Sequence, residues 1–300
     1  MNGEMLLYGY RFPQKIRFNF LERTIFVSPH EQGLVHDIFD FLQRFFSKQD
    51  FSDTYLDRGL GLYLNDCPLH GNEYEVYRIP PLVHSAEVLK VLKKTLLGQL
   101  WQQMFCGRDA ALEEVRQSLL MQVSSDLNRF LAPFHLQYRC AEEGILDFCK
   151  LMTLEALDGE EGIQLEESTQ YDLKRLMLSA IGQLDTKRPK ILLLEYPELG
   201  LYPAQVEQLF VMLRDVQVES VLIQTMDGRI AALCPSLYSY HYVHDGSICM
   251  FDDWDELLEA YPSASLEHIE QSLIQQLFSD KQSDELRKYI RNNDKIQFKN

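Results

Sequence analysis

Polar and apolar residues alternate along the first part of the chain in a way that predicts short strands before a helix. The segments MLLYGYRF, KIRFNF and RTIFVS, between residues 5 and 28, have the alternation of strands. From Gly33 to Phe46, apolar residues recur every three or four positions, which predicts an amphipathic helix. The aromatic runs GLGLYLN and YEVYRI predict two further strands. Two long helical patterns, roughly 84–105 and 110–131, then predict a helical arm.

The second half of the chain predicts a parallel sheet. A strand at 191–194, a helix at 204–215 and a strand at 220–224 form a strand-helix-strand unit, whose two strands we expect to run parallel. HLQYRC predicts another strand, and LYSYHYV and SICMF predict strands at the edge of that sheet. Helices are predicted near 145–156 and 169–184, and again beyond residue 252.

These patterns predict an α/β protein with a discontinuous organisation. We expect an α/β head formed by 1–82 and 134–262, with a helical arm inserted at 83–133 and a C-terminal helical extension at 263–300. A length of 300 residues with 46% hydrophobic content suffices for a sizeable core. The sequence shows no secretory leader and no run of 18 apolar residues, so we expect a cytoplasmic protein without a membrane anchor.

The cysteines and the charge exclude several classes of protein. The six cysteines are scattered without a Cys-x-x-Cys pair, which indicates neither a zinc site nor a disulfide framework. The net charge of −16 argues against a surface that is basic all over. Any contact with DNA would therefore be confined to part of the surface.

His241 and His244 point to opposite faces of a strand, so edge-strand histidines are a simpler interpretation than metal ligands.

One lysine-rich stretch is the candidate for binding a phosphate backbone. Lys90, Lys93 and Lys94 would share one helical face at positions i, i+3 and i+4, and Arg108 and Arg116 lie on the same predicted helical pair. A solvated helical face is the default alternative.

The segment KILLLEYPELGLYP, residues 190–203, has the frame of an ATPase motif without its chemistry. It matches a buried strand followed by the Asp-Glu-Pro-Glu-Leu-Gly-Leu-His-Pro turn of ABC-type ATPases. In that family the first acid holds magnesium and the second orients the attacking water. Glu195 stands in the first place and Tyr196 in the second. A tyrosine, with a pKa near 10, cannot serve as a carboxylate base at neutral pH.

The phosphate-binding loop is altered in the same way. A Gly-x-x-x-x-Gly-Lys-Ser/Thr loop would fall at residues 28–35, where Ser28 replaces the first glycine and only Gly33 remains. Leu34 replaces the lysine and Val35 the hydroxyl residue. We therefore expect poor phosphate affinity. An ordinary strand-to-helix turn is the alternative interpretation.

Two further ATPase positions have also lost their chemistry. The Leu-Ser-Ser-Gly-Glu-Gln signature would fall at residues 165–170, where Ser168 replaces the glycine and Gln170 ends the motif. The residue that senses the γ-phosphate would be Met226, which cannot donate a side-chain hydrogen bond. Four positions in the right order predict an ABC-ATPase-like core with a degenerate P-loop and no catalytic residue. Gly33, Pro197, Gly200 and Pro203 would remain for geometry. An unrelated α/β sheet is the alternative.

The chain resembles the accessory DNA-end-binding proteins of type II-A CRISPR adaptation modules, the Csn family, and the longer subgroup in particular. The opening MLLYGYRFPQKIRFNF and TIFVSPHEQ, the aromatic helix DIFDFLQRFF, and the closing WDELLEAYPSAS are similar to that family.

The resemblance implies a non-enzymatic homotetrameric ring that threads double-stranded DNA by its ends. It also implies calcium-dependent assembly, no use of ATP, and work with the CRISPR integrase complex and the RNA-guided nuclease during spacer acquisition. The calcium ligands are not indicated; the acidic turn at 158–162 is a candidate, although a solvated loop explains it more simply. Two alternatives stay open: an ABC/SMC-like ATPase of DNA repair or phage defence that uses Glu195, and a protein-interaction scaffold with no DNA role.

Overall fold

The computed structural model of the chain forms two compact units. It describes residues 3–9, 11–12, 14–28, 33–48, 60–90, 95–105, 113–140, 152–156, 169–226, 239–244 and 247–251. The first unit comprises Met1–Pro81, Thr186–Leu199 and Val218–Asn300, and the second comprises Leu82–Asp185 and Gly200–Gln217. The predicted C-terminal helical extension lies outside the described residues.

The strands and helices follow one another along the chain as listed here. The strands are β1 Gly3–Tyr8, β2 Ile16–Phe20, β3 Arg23–Val27, β4 Gly61–Leu64, β5 Cys67–Pro68, β6 Glu75–Ile79, β7 Leu136–Cys140, β8 Met152–Ala156, β9 Lys190–Glu195, β10 Ser220–Thr225, β11 Ser239–His244 and β12 Ser247–Phe251. The helices are α1 Gly33–Phe46, α2 Ser85–Val88, α3 Leu96–Phe105, α4 Glu113–Leu131, α5 Gln170–Gln183 and α6 Pro203–Asp215.

The first unit contains two sheets and α1. A four-stranded antiparallel sheet has the order β2-β1-β4-β5, and a six-stranded sheet has the order β12-β11-β3-β10-β9-β6. In the larger sheet all neighbouring strands are parallel except β11 and β12. The prediction of a parallel β9-α6-β10 unit is therefore confirmed, as is the placement of β11 and β12 towards one edge.

The core of the first unit lies among α1, the inner face of the smaller sheet, and one face of the larger sheet. Side chains from all three contribute to it, including Phe18 of β2, Phe39 of α1 and Leu193 of β9, each fully buried. The apolar stripe of α1 that the sequence predicted is the face that packs here. Both faces of β9 and β10 are buried, which is typical of central parallel strands.

The second unit contains α2 to α6 and the antiparallel hairpin of β7 and β8. The buried residues of α5 include Leu173, Leu176 and Ile181, and those of α6 include Leu209 and Phe210. Pro203 occupies the first turn of α6, where its missing N–H leaves no intrahelical bond unmade.

Two predictions about helices are wrong. The segment predicted as a helix near 145–156 ends in strand β8, which pairs with β7 from Leu136 opposite Ala156 to Cys140 opposite Met152. A short apolar run cannot be assigned to helix or strand by periodicity alone, and here the cross-strand partner decides. The long pattern at 84–105 is broken, because α2 ends at Val88 and α3 begins at Leu96.

The break between α2 and α3 has a local cause. The hydroxyl of Thr95 accepts a hydrogen bond from the backbone N–H of Gly98 at 3.2 Å, which is a side-chain cap on the start of α3. Its own hydroxyl hydrogen is donated to the carbonyl of Lys90 at 2.5 Å. The new helix start therefore interrupts a hydrophobic pattern that continues through it.

Candidate functional site

The candidate site lies where β3, β9 and β10 end. Because these strands are parallel neighbours, their carboxyl ends meet at one edge of the sheet. The N–H of Ser28 donates to the carbonyl of Thr225 at 3.0 Å, and the N–H of Tyr196 donates to the carbonyl of Gln224 at 2.7 Å. The sequence-predicted positions Ser28, Tyr196 and Met226 are thereby brought together, next to Glu195.

The carboxylate of Glu195 is paired with a guanidinium from the neighbouring strand. In the register of β6 and β9, Arg78 lies opposite Leu193, two residues before Glu195, so both charged side chains project from the same face of the sheet. The Nη2 atom of Arg78 contacts the Oε1 atom of Glu195. The two side chains are only 15% and 4% exposed, so this is a buried ion pair.

A polar stripe on α1 surrounds that pair. Arg78 Nη1 lies 3.3 Å from Gln43 Oε1 and 3.9 Å from Asp40 Oδ1, and its Nη2 lies 3.0 Å from His36 Nδ1. His36 Nδ1 is also 3.3 Å from Glu195 Oε1. His36, Asp40 and Gln43 are spaced at i, i+4 and i+7, which places them on one side of the helix.

Tyr196 adopts an unusual backbone conformation inside a polar cluster. Its φ of 43° lies in the left-handed region, which is uncommon for a residue with a side chain. Its phenol oxygen accepts a hydrogen bond from Gln224 Nε2 at 2.7 Å. Burial raises the pKa of the phenol above its ordinary 10.0, and Glu195 and Glu198 act in the same direction, against opposing hydrogen bonds from Ser28 and Gln224. Tyr196 is therefore a neutral phenol at neutral pH.

Glu198, which follows β9, accepts hydrogen bonds from two residues at the end of β10. Its Oε1 atom accepts a hydrogen bond from the hydroxyl of Thr225 at 2.8 Å and another from the backbone N–H of Met226 at 3.0 Å. Glu198 belongs to the motif at residues 190–203, but the sequence assigns it no role. The bond to Met226 fixes the backbone of that residue and does not involve its side chain.

The residues at the phosphate-loop positions belong to the hydrophobic core. Val35 is fully buried and Leu34 packs against the same cluster. A Cβ at Gly33 would meet no atom within 4 Å among the described residues, and the geometric role of Gly33 stays a prediction. Residues 29–32, which would form the loop itself, lie outside the described residues.

The signature position Gln170 has a structural contact in the second unit. Its Nε2 atom donates to the carbonyl of Val83 at 2.9 Å, and its Oε1 atom accepts from the N–H of Val83 at 2.7 Å. Gly200 has a φ of 75°, and a Cβ there would come within 2.9 Å of Gln170 Cγ. The geometric role predicted for Gly200 thus has a physical basis. Ser168 lies outside the described residues.

The predicted lysine face lies only partly within the described residues. Lys90 is exposed but follows Leu89, the C-cap residue of α2. It is therefore not on a continuous helical face as predicted. Lys93, Lys94 and Arg108 lie outside the described residues. Arg116 is within α4, where only the backbone is described.

Solved structures are similar to the chain, whereas no family profile and no curated protein match its sequence. The crystal structure of Stu0660 of Streptococcus thermophilus matches with a TM-score of 0.58 at 12% identity, over 88% of this chain and 81% of that one. The SMC head bound to the C-terminal winged-helix domain of ScpA matches with a TM-score of 0.53 at 11% identity, over 85% of this chain and 99% of that one.

The fold is ABC ATPase-like. At these identities the likeness establishes the fold alone. It confirms the predicted fold class, an ABC-ATPase-like α/β core.

The ABC ATPase-like fold implies a magnesium nucleotide, and the described residues do not fit one. The carboxylate at the metal position already has a guanidinium beside it, and a second cation there would be repelled by the first. The positions of the phosphate-binding lysine and hydroxyl are occupied by Leu34 and Val35, which offer neither charge nor hydrogen bond. The described residues of the site therefore suit contacts with one another and not the binding of a magnesium nucleotide.

Arg78 is the important residue that the sequence did not reveal. It lies in the strand segment YEVYRI, where two charged residues among aromatic and aliphatic ones indicate nothing in particular. His36, Asp40 and Gln43 lie on the polar side of an amphipathic helix, a side that the sequence alone assigns to solvent. Only the register of β6 beside β9 shows that Arg78 lies near Glu195.

The part of the chain that the structure describes contains neither a metal cluster nor a membrane-spanning helix. No group of three His, Cys, Asp or Glu side chains there is arranged to hold a metal ion. The acidic turn 158–162, the candidate for calcium, falls outside that part. No described helix is long and apolar enough to cross a membrane.

Proposed function

We propose that the chain is a non-enzymatic protein that binds double-stranded DNA at its ends as a homotetrameric ring and assists spacer acquisition in CRISPR adaptive immunity. The buried pair of Arg78 and Glu195 is the observation that carries the non-enzymatic part, because it neutralises the acid at the magnesium position of the motif. The DNA-binding part is supported by the resemblance to the Csn family in the opening, aromatic-helix and closing segments.

Each further altered position supports the loss of ATP chemistry. Tyr196 is a buried phenol whose pKa is raised, so it cannot take a proton from water at neutral pH. Leu34 and Val35 contribute to the core instead of to phosphate binding. An ABC ATPase-like head that keeps its sheet while losing these groups is suited to a structural role.

The partners of the proposed ring follow from the same resemblance. They are the CRISPR integrase complex and the RNA-guided nuclease, in the cytoplasm, with calcium required for assembly. The net charge of −16 restricts DNA contact to a limited basic surface, such as the lumen of a ring. Lys90, Lys93, Lys94, Arg108 and Arg116 are the candidates for that surface.

The test of DNA-end binding compares linear with relaxed circular duplex. At matched salt with calcium present, a ring that loads at ends binds the linear duplex and leaves the closed circle largely unbound. Replacing Lys90, Lys93 and Lys94 by glutamine should weaken binding and flatten its salt dependence, since fewer phosphate contacts release fewer counterions. Lys187→Gln, at another exposed lysine, is the matched control. Equal affinity for circles would contradict threading.

A protein-interaction scaffold is the second candidate, favoured by one observation. Tyr202 and Val211 are 77% and 55% exposed, which leaves apolar surface on α6 and its cap. The SMC head to which the chain is similar was solved with a protein domain bound. This candidate predicts no retention of either DNA form at low salt.

A further inference from the structure

We propose that Arg175 and Gln103 are positioning residues, which hold the helical pair of α3 and α4 in one orientation to α5. Candidate DNA-contacting residues lie on or next to this pair, since Arg116 belongs to α4, Lys94 precedes α3 and Arg108 follows it. This inference rests on the DNA-binding part of the proposed function. Its consequence is that two side chains that do not contact DNA set the affinity for DNA ends.

The first contact is a guanidinium packed against two aromatic rings. The Cζ atom of Arg175, on α5, lies 5.3 Å from the ring centre of Phe134 and 5.2 Å from that of Tyr171. Phe134 ends the 3-10 turn Ala132–Phe134, which follows α4, and it is only 8% exposed. Its ring lies 6.1 Å from that of Phe130 on α4. The guanidinium therefore joins the end of α4 to the first half of α5.

The second contact is a hydrogen bond at the other end of α5. The backbone N–H of Asp185, two residues beyond α5, donates to Gln103 Oε1 of α3 at 2.8 Å. It lies ten residues after Arg175 in the sequence, which corresponds to roughly 15 Å along a helix. The pair is thus attached to α5 at two separated points, one through each of its helices.

The apolar contacts between α3 and α5 do not fix an angle by themselves. Leu97 and Leu100 of α3 are buried, and α3 packs against α5. Burial of apolar surface has no preferred direction, whereas a hydrogen bond and a stacked guanidinium do. We therefore assign the orientation of the pair to the two directional contacts.

The stack requires an arginine rather than any cation. The ring of Tyr171 is itself fixed, because its hydroxyl donates to Gln208 Oε1 of α6 at 2.6 Å. A planar guanidinium stacks on such a ring, whereas the ammonium of a lysine is compact and more strongly hydrated. The carboxylate of Asp172 is 3.8 Å from Arg175 and partly exposed, so that ion pair contributes little. Arg175→Lys consequently keeps the charge and weakens the stack.

The effect on DNA binding follows from the share of molecules that hold the required orientation. When that share falls, the apparent affinity falls by the same factor, while the contacts within the complex stay as they were. The number of phosphate contacts sets the salt dependence of binding. Loss of a positioning residue therefore weakens binding without changing its salt dependence.

The first experiment measures amide hydrogen exchange at Asp185 in the full chain without DNA. Gln103→Ala removes the acceptor and sets the upper limit of the exchange rate. Arg175→Lys should speed this exchange by about fivefold, because a pair released at Phe134 also loosens its contact through Gln103. Exchange at Asp185 that stays at the wild-type rate in both Arg175→Lys and Phe134→Leu would overturn the inference, since the two contacts would then act separately.

Arg129→Lys is the matched control for this experiment. Arg129 is an arginine of α4 whose side chain is 81% exposed, and it pairs at the surface with Asp126 at 3.8 Å. Its replacement should leave the exchange at Asp185 at the wild-type rate. A rate raised as much as in Arg175→Lys would show that any change of charge spacing on the pair has this effect, and would overturn the role of the stack.

The second experiment measures binding of a linear duplex over a range of salt concentrations, below the melting temperature of every variant. Arg175→Lys and Gln103→Ala should each weaken binding by about fivefold at every salt concentration, with the wild-type slope. Arg175→Leu should also keep that slope. A flatter slope for Arg175→Leu would show that Arg175 itself contacts phosphate, and wild-type affinity in both other variants would show that the orientation does not matter. Either result would overturn the inference.

Failure of this inference is distinguishable from failure of the proposed function. A wild type that binds neither linear nor circular DNA removes the DNA-binding function, whereas exchange at Asp185 still shows whether the two contacts hold the pair together. A wild type that prefers linear DNA, beside Arg175→Lys and Gln103→Ala variants that bind it equally well, removes only the positioning role.

Discussion

At the residue scale, the acid that remains at the metal position of the altered ATPase motif has its partner outside the motif. Glu195 keeps a carboxylate at the metal position, and Arg78 from the adjacent strand compensates its charge. Removing one member of a buried pair leaves the other charge unpaired, which costs far more than the pair itself contributes.

The first prediction concerns that pair. Arg78→Ala should lower the free energy of unfolding by about 3–5 kcal/mol, because Glu195 is left buried without its partner. Adding Glu195→Gln should recover part of the loss, and Arg78→Lys, which keeps the charge, should cost less than Arg78→Ala. Urea unfolding of the wild type and these three variants measures the differences in the free energy of unfolding. A loss of less than about 0.5 kcal/mol in Arg78→Ala would show that the pair is not a buried one.

The second prediction concerns His241, which lies fully buried within the first unit. Strand β11 lies towards the edge of its sheet with β12 outside it, and the N–H of Asn19 donates to His241 Nε2 at 3.0 Å. Burial lowers the pKa of His241 from 6.5 to about 3, against opposing backbone hydrogen bonds of Ser239 and Ile25. The imidazole is therefore neutral in the folded protein.

The sign of the pH effect follows from that lowered pKa. Below pH 6.5 the unfolded chain binds a proton at His241 that the folded chain does not bind until about pH 3. The contribution of His241 is thus complete above 6.5 and is lost as the pH falls towards 3, by about 1.4 kcal/mol per unit. His241→Gln should remove this dependence, so its unfolding curve against pH should be flatter than that of the wild type. Parallel curves between pH 7 and 5 would contradict it.

At the element scale, strong periodicity predicted structure well and weak periodicity did not. The stripe of α1 and the apolar runs of β9 and β10 are long or deeply buried enough to be identified from sequence. The start of α3 depends on one threonine cap, and β8 depends on a distant partner strand. Such features are set by contacts, so a hydrophobic pattern alone does not contain them.

The third prediction compares two glycines of the second unit. Gly200→Ala should destabilise the protein by about 1–2 kcal/mol from its left-handed backbone alone, with a further cost from the approach to Gln170. Gly182→Ala, within α5, should stabilise it by about 0.5 kcal/mol, because the nearest atom is Val216 Cγ1 at 3.9 Å. Thermal unfolding of both variants tests this. A stabilising Gly200→Ala would show that the turn has another conformation.

At the scale of the whole molecule, the sequence predicted the fold but not the contacts at the carboxyl ends of β3, β9 and β10. The order of the four ATPase positions indicated an ABC-ATPase-like core, and the solved structures of similar fold agree with it. The role of Arg78 was not predicted, because it depends on strand register rather than on any motif. Glu198 stands within the motif at residues 190–203, but the motif does not show which donors Glu198 contacts.

The fourth prediction concerns assembly of the complete chain. With calcium and a linear duplex, gel filtration with light scattering should show a tetramer that co-elutes with the DNA, and chelation of calcium should shift it to smaller species. Calcium alone, without DNA, separates assembly from loading. A mass that is the same in calcium and in chelator would contradict calcium-dependent assembly.

We propose that this ATPase-like head carries out no ATP chemistry, because Arg78 already pairs with the acid at the metal position. The most direct measurement is ATP turnover by the purified wild type, with magnesium and linear duplex present, beside Glu195→Gln. We predict no turnover above the level of the variant. Hydrolysis by the wild type that Glu195→Gln abolishes would contradict the account and establish the ATPase alternative.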